Sequence, residues 1–158
     1  MPLATDSQRS ELMSRIKGAH TKPEMLLRRA LHARNLRYRL HVRSLPGRPD
    51  LVFRSRRAVI FVNGCFWHGH ACHLFQWPKS NVPFWRGKIT RNKERDDQNI
   101  RRLLADGWRV LTLWECALRG PNGRSIDEIS SDCIAWLNSS IATSELTSTK
   151  YKRKRRLR

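Results

Sequence analysis

The sequence predicts an α/β domain built on a sheet that is covered on both faces. Three observations carry this. Ala58-Val59-Ile60-Phe61-Val62 is apolar throughout, as expected of a central strand with no wet face. Leu51–Phe53 precedes it across the basic turn Arg54-Ser55-Arg56-Arg57, which reads as a hairpin. A second strand pattern, Trp108 to Leu113, follows a long helical pattern, and a crossover of that length implies parallel pairing with an earlier strand.

The elements follow in order. Ser10 to Gly18 is a short helix with Leu12, Met13 and Ile16 on one face and Arg9, Arg15 and Lys17 on the other. Thr21-Lys22-Pro23-Glu24 opens a stronger one: Thr21 can cap, Pro23 suits a first turn, and Glu24 stands where a capping box needs an acid. Its buried stripe is Met25, Leu26, Ala30 and Leu31. Leu36 to Val42 alternates, with Arg37, Arg39 and His41 on the wet face of an edge strand. His73 to Pro83 is loop, broken by Pro78 and Pro83. The long helix spans about Phe84 to Asp106, and Gly107 stops it. A last helix spans Ser125 to about Ile141, with Cys133 as a plain core residue.

Composition bounds the function. The 158 residues suffice for one domain, and 32 Lys and Arg against 13 Asp and Glu leave a net charge of +19. Such a field attracts nucleic acid first and an anionic membrane second. No apolar run could span a bilayer, and the first residues lack the core of a secretory signal. An intracellular, cytoplasmic protein with reduced thiols is therefore expected, so the four cysteines read as metal ligands or core residues rather than disulfides. The expected division is one domain over residues 1–142, its first 20 residues contacting DNA, and a disordered basic tail over 143–158.

Chemistry concentrates between Leu45 and Cys72, LPGRPDLVFRSRRAVIFVNGCFWHGHAC. Asp50 enters a strand directly after a turn. Cys65, His70 and Cys72 lie close together and Cys116 ends a later strand; three near ligands and one distant one suit a tetrahedral zinc site that pins a loop to the sheet. His68 and His73 fall outside that set. Each is either a surface imidazole or a general base beside the acid. Phe66 and Trp67 are adjacent in a basic loop and Trp85 follows; such aromatics either pack into the core or wedge between base pairs.

These blocks resemble the very short patch repair (Vsr) mismatch endonucleases. The matching text is SLPGRPDLVF, VIFVNGCFWHGHAC, FWRGKITRNKERD and GWRVLTLWECALRG, within about Ser44 to Gly120. The resemblance implies a restriction-endonuclease-like core, a mixed β-sheet flanked by helices, with a structural zinc site. It implies Mg²⁺-dependent nicking of one DNA strand 5′ to the mismatched T of a T:G pair, the lesion left when 5-methylcytosine deaminates. By position, Asp50 is the Mg²⁺-binding carboxylate, and Val62 falls where the family's threonine offers a backbone carbonyl to the metal. His68 falls on the histidine that activates water, and Glu24 on the acid near the metal-bound waters. Cys65, His70, Cys72 and Cys116 fall on the Zn²⁺ ligands, and Phe66, Trp67 and Trp85 on the aromatics that enter DNA beside the mismatch.

The chain also departs from the pattern. Asn63 stands where better-known members carry a histidine near the scissile phosphate; Asn can donate a hydrogen bond there but cannot carry a proton. Gly69 and Ala71 thin the family's histidine-rich run. The resemblance implies a bacterial, monomeric enzyme acting on mismatched duplex DNA, with other mismatch-repair proteins as further contacts. Three rivals stay open: a catalytically altered or inactive zinc-stabilised DNA-binding protein, a restriction-type endonuclease of the same fold, and a basic RNA-associated protein.

Overall fold

The structure, a computed structural model, describes residues 20–148. The expected helix at Ser10–Gly18 and the basic run from Lys150 lie outside the described residues. Helix α1 (Lys22–Ala33) leads through β1 (Arg39–Leu40) to the hairpin of β2 (Leu51–Phe53) and β3 (Ala58–Asn63). Helix α2 (Val82–Ala105) then crosses to β4 (Arg109–Trp114), and α3 (Ile126–Leu137) crosses to β5 (Thr143–Leu146). The sheet order is β1-β2-β3-β4-β5. The first two pairings are antiparallel and the last two parallel, so the sheet is mixed as expected.

Side-chain alternation divides the core into two layers. Leu51, Phe53, Ala58, Ile60, Leu111 and Leu113 face one way and bury Leu27 and Leu31 of α1 with Ile129, Trp136 and Leu137 of α3. Val52, Val59 and Val110 face the other way, onto Leu103 of α2 with Ile100 and Phe61 beside it. The hairpin and β4 are thus covered on both sides, which is why their sequences are apolar without a break. Cys133 is fully buried in the first layer, away from the other cysteines.

Several boundaries differ from expectation, each for a local reason. Pro83 does not break the chain before α2 but sits in the helix's first turn, where its missing N–H costs nothing. Ser125 caps α3 by accepting a hydrogen bond from the Glu128 amide (3.1 Å), and the helix ends at Leu137 rather than near Ile141. Ordered structure does not stop at 143: Thr143–Leu146 adds an edge strand along β4, entered by a bond from the Val110 amide to the Ala142 carbonyl (2.8 Å). Only its Leu146 packs on the first layer, so its sequence carries little apolar signal. Strand β1 is two residues long because His41 adopts φ 46°, in the left-handed region, and turns the chain out of the ladder. His41 therefore leaves the wet face where alternation placed it. No helix of the described residues is long and apolar enough to cross a membrane.

Burial separates the central strand from the edge. Leu111→Ala is expected to cost about 3 kcal/mol and Leu146→Ala about 1 kcal/mol, because a sealed cavity forms only at the first. Urea melts of the two variants check this ordering.

Candidate active site and metal centre

The β2–β3 hairpin and the end of α1 place two carboxylates together. Asp50 precedes β2 and is held by the Val62 amide, which donates to its Oδ2 (2.7 Å). Glu24 is only 1% exposed, yet its N-cap neighbour Thr21 makes no side-chain capping bond. Its carboxylate is occupied instead. His41 Nε2 stands 3.0 Å from Oε1, the His20 amide donates to Oε1 (3.3 Å), and Arg28 pairs with Oε2 (3.2 Å). The same His41 Nε2 lies 3.6 Å from Asp50 Oδ1. The Glu24 side chain thus bonds the amide of His20, one residue before the N-cap Thr21, and the acid belongs to a buried His–carboxylate group.

His41 and Asp50 line a cleft of about 970 Å³ together with Asn63, His68, Arg95 and Asn99, and Glu24 is buried behind them. Burial, with the adjacent Glu24 charge, pushes the Asp50 carboxyl up to about 7, although the Val62 amide and Arg48 act against this. Burial acts to raise Glu24 as well, but its hydrogen bonds to His41 and Asp50, His41's charge and Arg28 hold it below the ordinary carboxylate value. The two neighbours thus differ, Glu24 ionised and balanced by Arg28 and Asp50 holding its proton, which a bound cation would displace. Glu24, His41 and Asp50 each offer one ligand atom within 4.8 Å of the others.

His68 reaches this cleft from the loop after β3. Its Nδ1 makes a short hydrogen bond with Asp96 Oδ2 on α2, which fixes the ring and leaves Nε2 for chemistry. Asp96 was not singled out in the sequence. The signal was present: it lies seven residues from both Ile89 and Leu103, so helical spacing puts an acid on the apolar stripe. His41 had no comparable signal. His73, the other unassigned imidazole, packs against Gly120 outside the cleft.

Parallel pairing of β3 with β4 ends at Asn63 opposite Trp114, so the segments leaving both strands emerge side by side. Cys65, His70 and Cys72 follow the first strand and Cys116 lies in the turn after the second. The four ligand atoms lie within 4.8 Å of one another, and Cys65 and Cys116 are fully buried. His70 Nδ1 is 3.6 Å from both Cys65 Sγ and Cys116 Sγ. Ligands at about 2.0–2.3 Å from one tetrahedral ion stand roughly 3.5–3.6 Å apart, so this set could hold a metal ion. Its imidazole is stacked on Trp114 with ring centroids 4.1 Å apart. Hydrogen bonding from Cys65, with help from His70, draws the Cys116 thiol down to about 4, which favours the thiolate a metal needs. Gly69 has φ +60°, and a Cβ there would come within 2.7 Å of Ile89 Cγ2, so this loop is drawn tightly onto α2.

Phe66, Trp67 and Trp85 meet in one half-buried cluster, with ring centroids 5.3, 5.4 and 5.8 Å apart. The Lys88 ammonium lies 5.4 Å from the Trp67 ring, and Asn92 donates to the Trp67 carbonyl (3.0 Å). Two exposed aromatics that sequence reasoning passed over, Phe84 and Trp77, continue this surface, with Arg86 over Trp77.

Comparison with known proteins gives the family. A family model described as DNA mismatch endonuclease Vsr matches residues 1–74. The type II nicking enzyme V.XorIIP of Xanthomonas oryzae pv. oryzae is 48% identical over 111 residues, covering 70% of this chain and 82% of the relative. The DNA mismatch endonuclease Vsr of Escherichia coli is 43% identical over 129 residues, covering 82% and 83%. The type II nicking enzyme V.NmeAIP of Neisseria meningitidis is 44% identical over 115 residues, covering 73% and 82%.

The raised Asp50 value has a stability consequence. The native carboxyl keeps its proton to about pH 7, whereas the unfolded chain releases it near 3.8, so the ion-free protein loses stability as pH rises between those values. Asp50→Asn is expected to raise the stability of the ion-free protein at pH 8 by about 2 kcal/mol, a gap that closes toward pH 4. Thermal melts in chelator across that range measure it.

Proposed function

Because the chain belongs to the Vsr family of DNA mismatch endonucleases, we propose that it is a Mg²⁺-dependent nuclease that nicks one strand of duplex DNA 5′ to the mismatched T of a T:G pair, in repair of deaminated 5-methylcytosine. The observation that carries this is the shared cleft: the Asp50 carboxylate, Asn63 and the Asp96-oriented His68 line one cavity.

The roles follow from chemistry. Asp50, its Oδ2 fixed by the Val62 amide, holds the divalent ion, with the Val62 carbonyl as a second donor and Glu24 close by. When bound, the ion supplies positive charge at the scissile phosphate and the departing oxygen. His68 Nε2 accepts the proton of the attacking water, and Asp96 stabilises the imidazolium that results. Asn63 donates a hydrogen bond to a phosphate oxygen where the better-known relatives would place an imidazole. Proton handling then rests on His68 alone, so Asn63 does not by itself imply an inactive protein.

Phe66, Trp67 and Trp85 enter the duplex beside the mismatch, where a poorly stacked step costs less to open. The basic surface supplies sequence-independent attraction to phosphates. Cys65, His70, Cys72 and Cys116 hold Zn²⁺. Three thiolates and an imidazole close a tetrahedral shell, so that ion is structural and ties the His68 loop to β4.

Duplexes carrying one T:G pair test the reading. Asp50→Ala is expected to abolish nicking while leaving DNA binding, and His68→Ala to slow nicking about 10²–10⁴-fold. Equal cutting by Asp50→Ala overturns the assigned site, and linear rather than nicked plasmid product favours the restriction-type reading. Cys116→Ser is expected to lower both bound zinc, by elemental analysis, and the melting temperature; an unchanged melt in a zinc-free protein overturns the structural-metal role.

A further inference from the structure

His41 stands at the centre of the acidic floor, and its placement is built rather than incidental. The left-handed backbone at φ 46° ends β1 and swings the ring inward, a conformation that costs a residue with a Cβ about 1–2 kcal/mol. Its own amide donates to the Asp50 carbonyl (3.2 Å), so the ring and the Asp50 carboxylate are registered to one another through the backbone. The side chain is 10% exposed and lines the cleft.

The spacing of the ligand atoms is informative. His41 Nε2 lies 3.0 Å from Glu24 Oε1 and 3.6 Å from Asp50 Oδ1, and the three ligand atoms all fall within 4.8 Å. Donors at about 2.1–2.2 Å from a six-coordinate ion stand roughly 3.0 Å apart when adjacent and about 4.3 Å apart when opposite, so the 3.6 Å between His41 Nε2 and Asp50 Oδ1 needs only a small side-chain shift to bring both onto one ion. The carboxylates are also anchored on their far sides, Glu24 by Arg28 and Asp50 by the Val62 amide. We propose that His41 Nε2 is a nitrogen ligand to the divalent ion of this cleft, beside the Asp50 carboxylate and the Val62 carbonyl, with Glu24 adjoining the set. This rests on the reading that Asp50 holds the ion. Binding uses the tautomer with its hydrogen on Nδ1, leaving the Nε2 lone pair free.

A nitrogen donor changes which ion the site prefers. Carboxylate and water ligands suit Mg²⁺, whereas an imidazole raises affinity for Mn²⁺ and other transition ions over it. His41→Gln is expected to weaken Mn²⁺ binding about tenfold while changing Mg²⁺ binding less than about threefold.

The direct test is pulsed electron paramagnetic resonance of Mn²⁺ added to the full-length, zinc-loaded protein without DNA. The expected result is an Asp50-dependent Mn²⁺ signal that carries the coupling of a directly bound ¹⁴N nucleus. That coupling is lost in His41→Gln, persists in His68→Ala, and changes to the ¹⁵N pattern in wild-type protein labelled with [¹⁵N]histidine, a measurement that needs no substitution. Mn²⁺ binding that depends on Asp50 but shows no nitrogen coupling overturns the role of His41 and leaves the Asp50 site standing. Coupling that survives in His41→Gln also overturns it. Mn²⁺ binding unaffected by Asp50→Asn overturns both this inference and the metal site on which it rests.

Discussion

Parallel pairing of β3 with β4 is the constraint on which the rest of the structure depends. Its register, Ala58 opposite Arg109 through Asn63 opposite Trp114, brings two chain segments out of the sheet at the same level. The first carries Cys65, His68, His70 and Cys72, and the second carries Cys116. A shift of one residue would turn every side chain of a strand to the opposite face and separate the sulfurs. The pairing needs the α2 crossover, and α2 in turn supplies Asp96 to His68 and Ile89 to the loop beneath Gly69. One hydrogen-bonded ladder thereby sets both the metal centre and the orientation of the imidazole proposed as the base.

The second organising feature is a local reversal of charge. A chain with a net charge of +19 sets the half-buried Asp50 in a cleft and buries Glu24 behind it. Burial, and after it the neighbouring Glu24 charge, explain the raised Asp50 value. Natural proteins commonly give up stability at sites where charge must meet a ligand. Basic residues favour a polyanion, and the group formed by Glu24, His41 and Asp50 could hold a cation beside it.

The aromatic cluster has a comparable double character. Phe66 and Trp67 are neighbours in sequence, so one core could not easily swallow both, and the structure leaves both half-buried against Trp85. The rings cover one another, which limits the exposed apolar area, and Phe66 and Trp67 line a second cleft with Lys88 and Asn92.

Much of this was legible in the chain itself. Unbroken apolar runs marked the strands buried on both sides, helical spacing marked α1 to α3, and the close grouping of Cys65, His70 and Cys72 marked a ligand set, because each is a short-range pattern imposed by burial or coordination. The motif blocks carried the family. What the chain could not display was the inward turn of a polar side chain. Alternation put His41 in water, yet one left-handed residue carried it to Glu24, seventeen positions away in sequence. Helical spacing put Asp96 on the apolar stripe of α2, but its partner His68 appears only when that helix is laid across the loop. Strand β5 had almost no apolar signature, since an edge strand needs a neighbour's backbone more than its own side chains. Periodicity records which face of an element is dry; which polar group is admitted to that face depends on a partner that only the folded chain brings near.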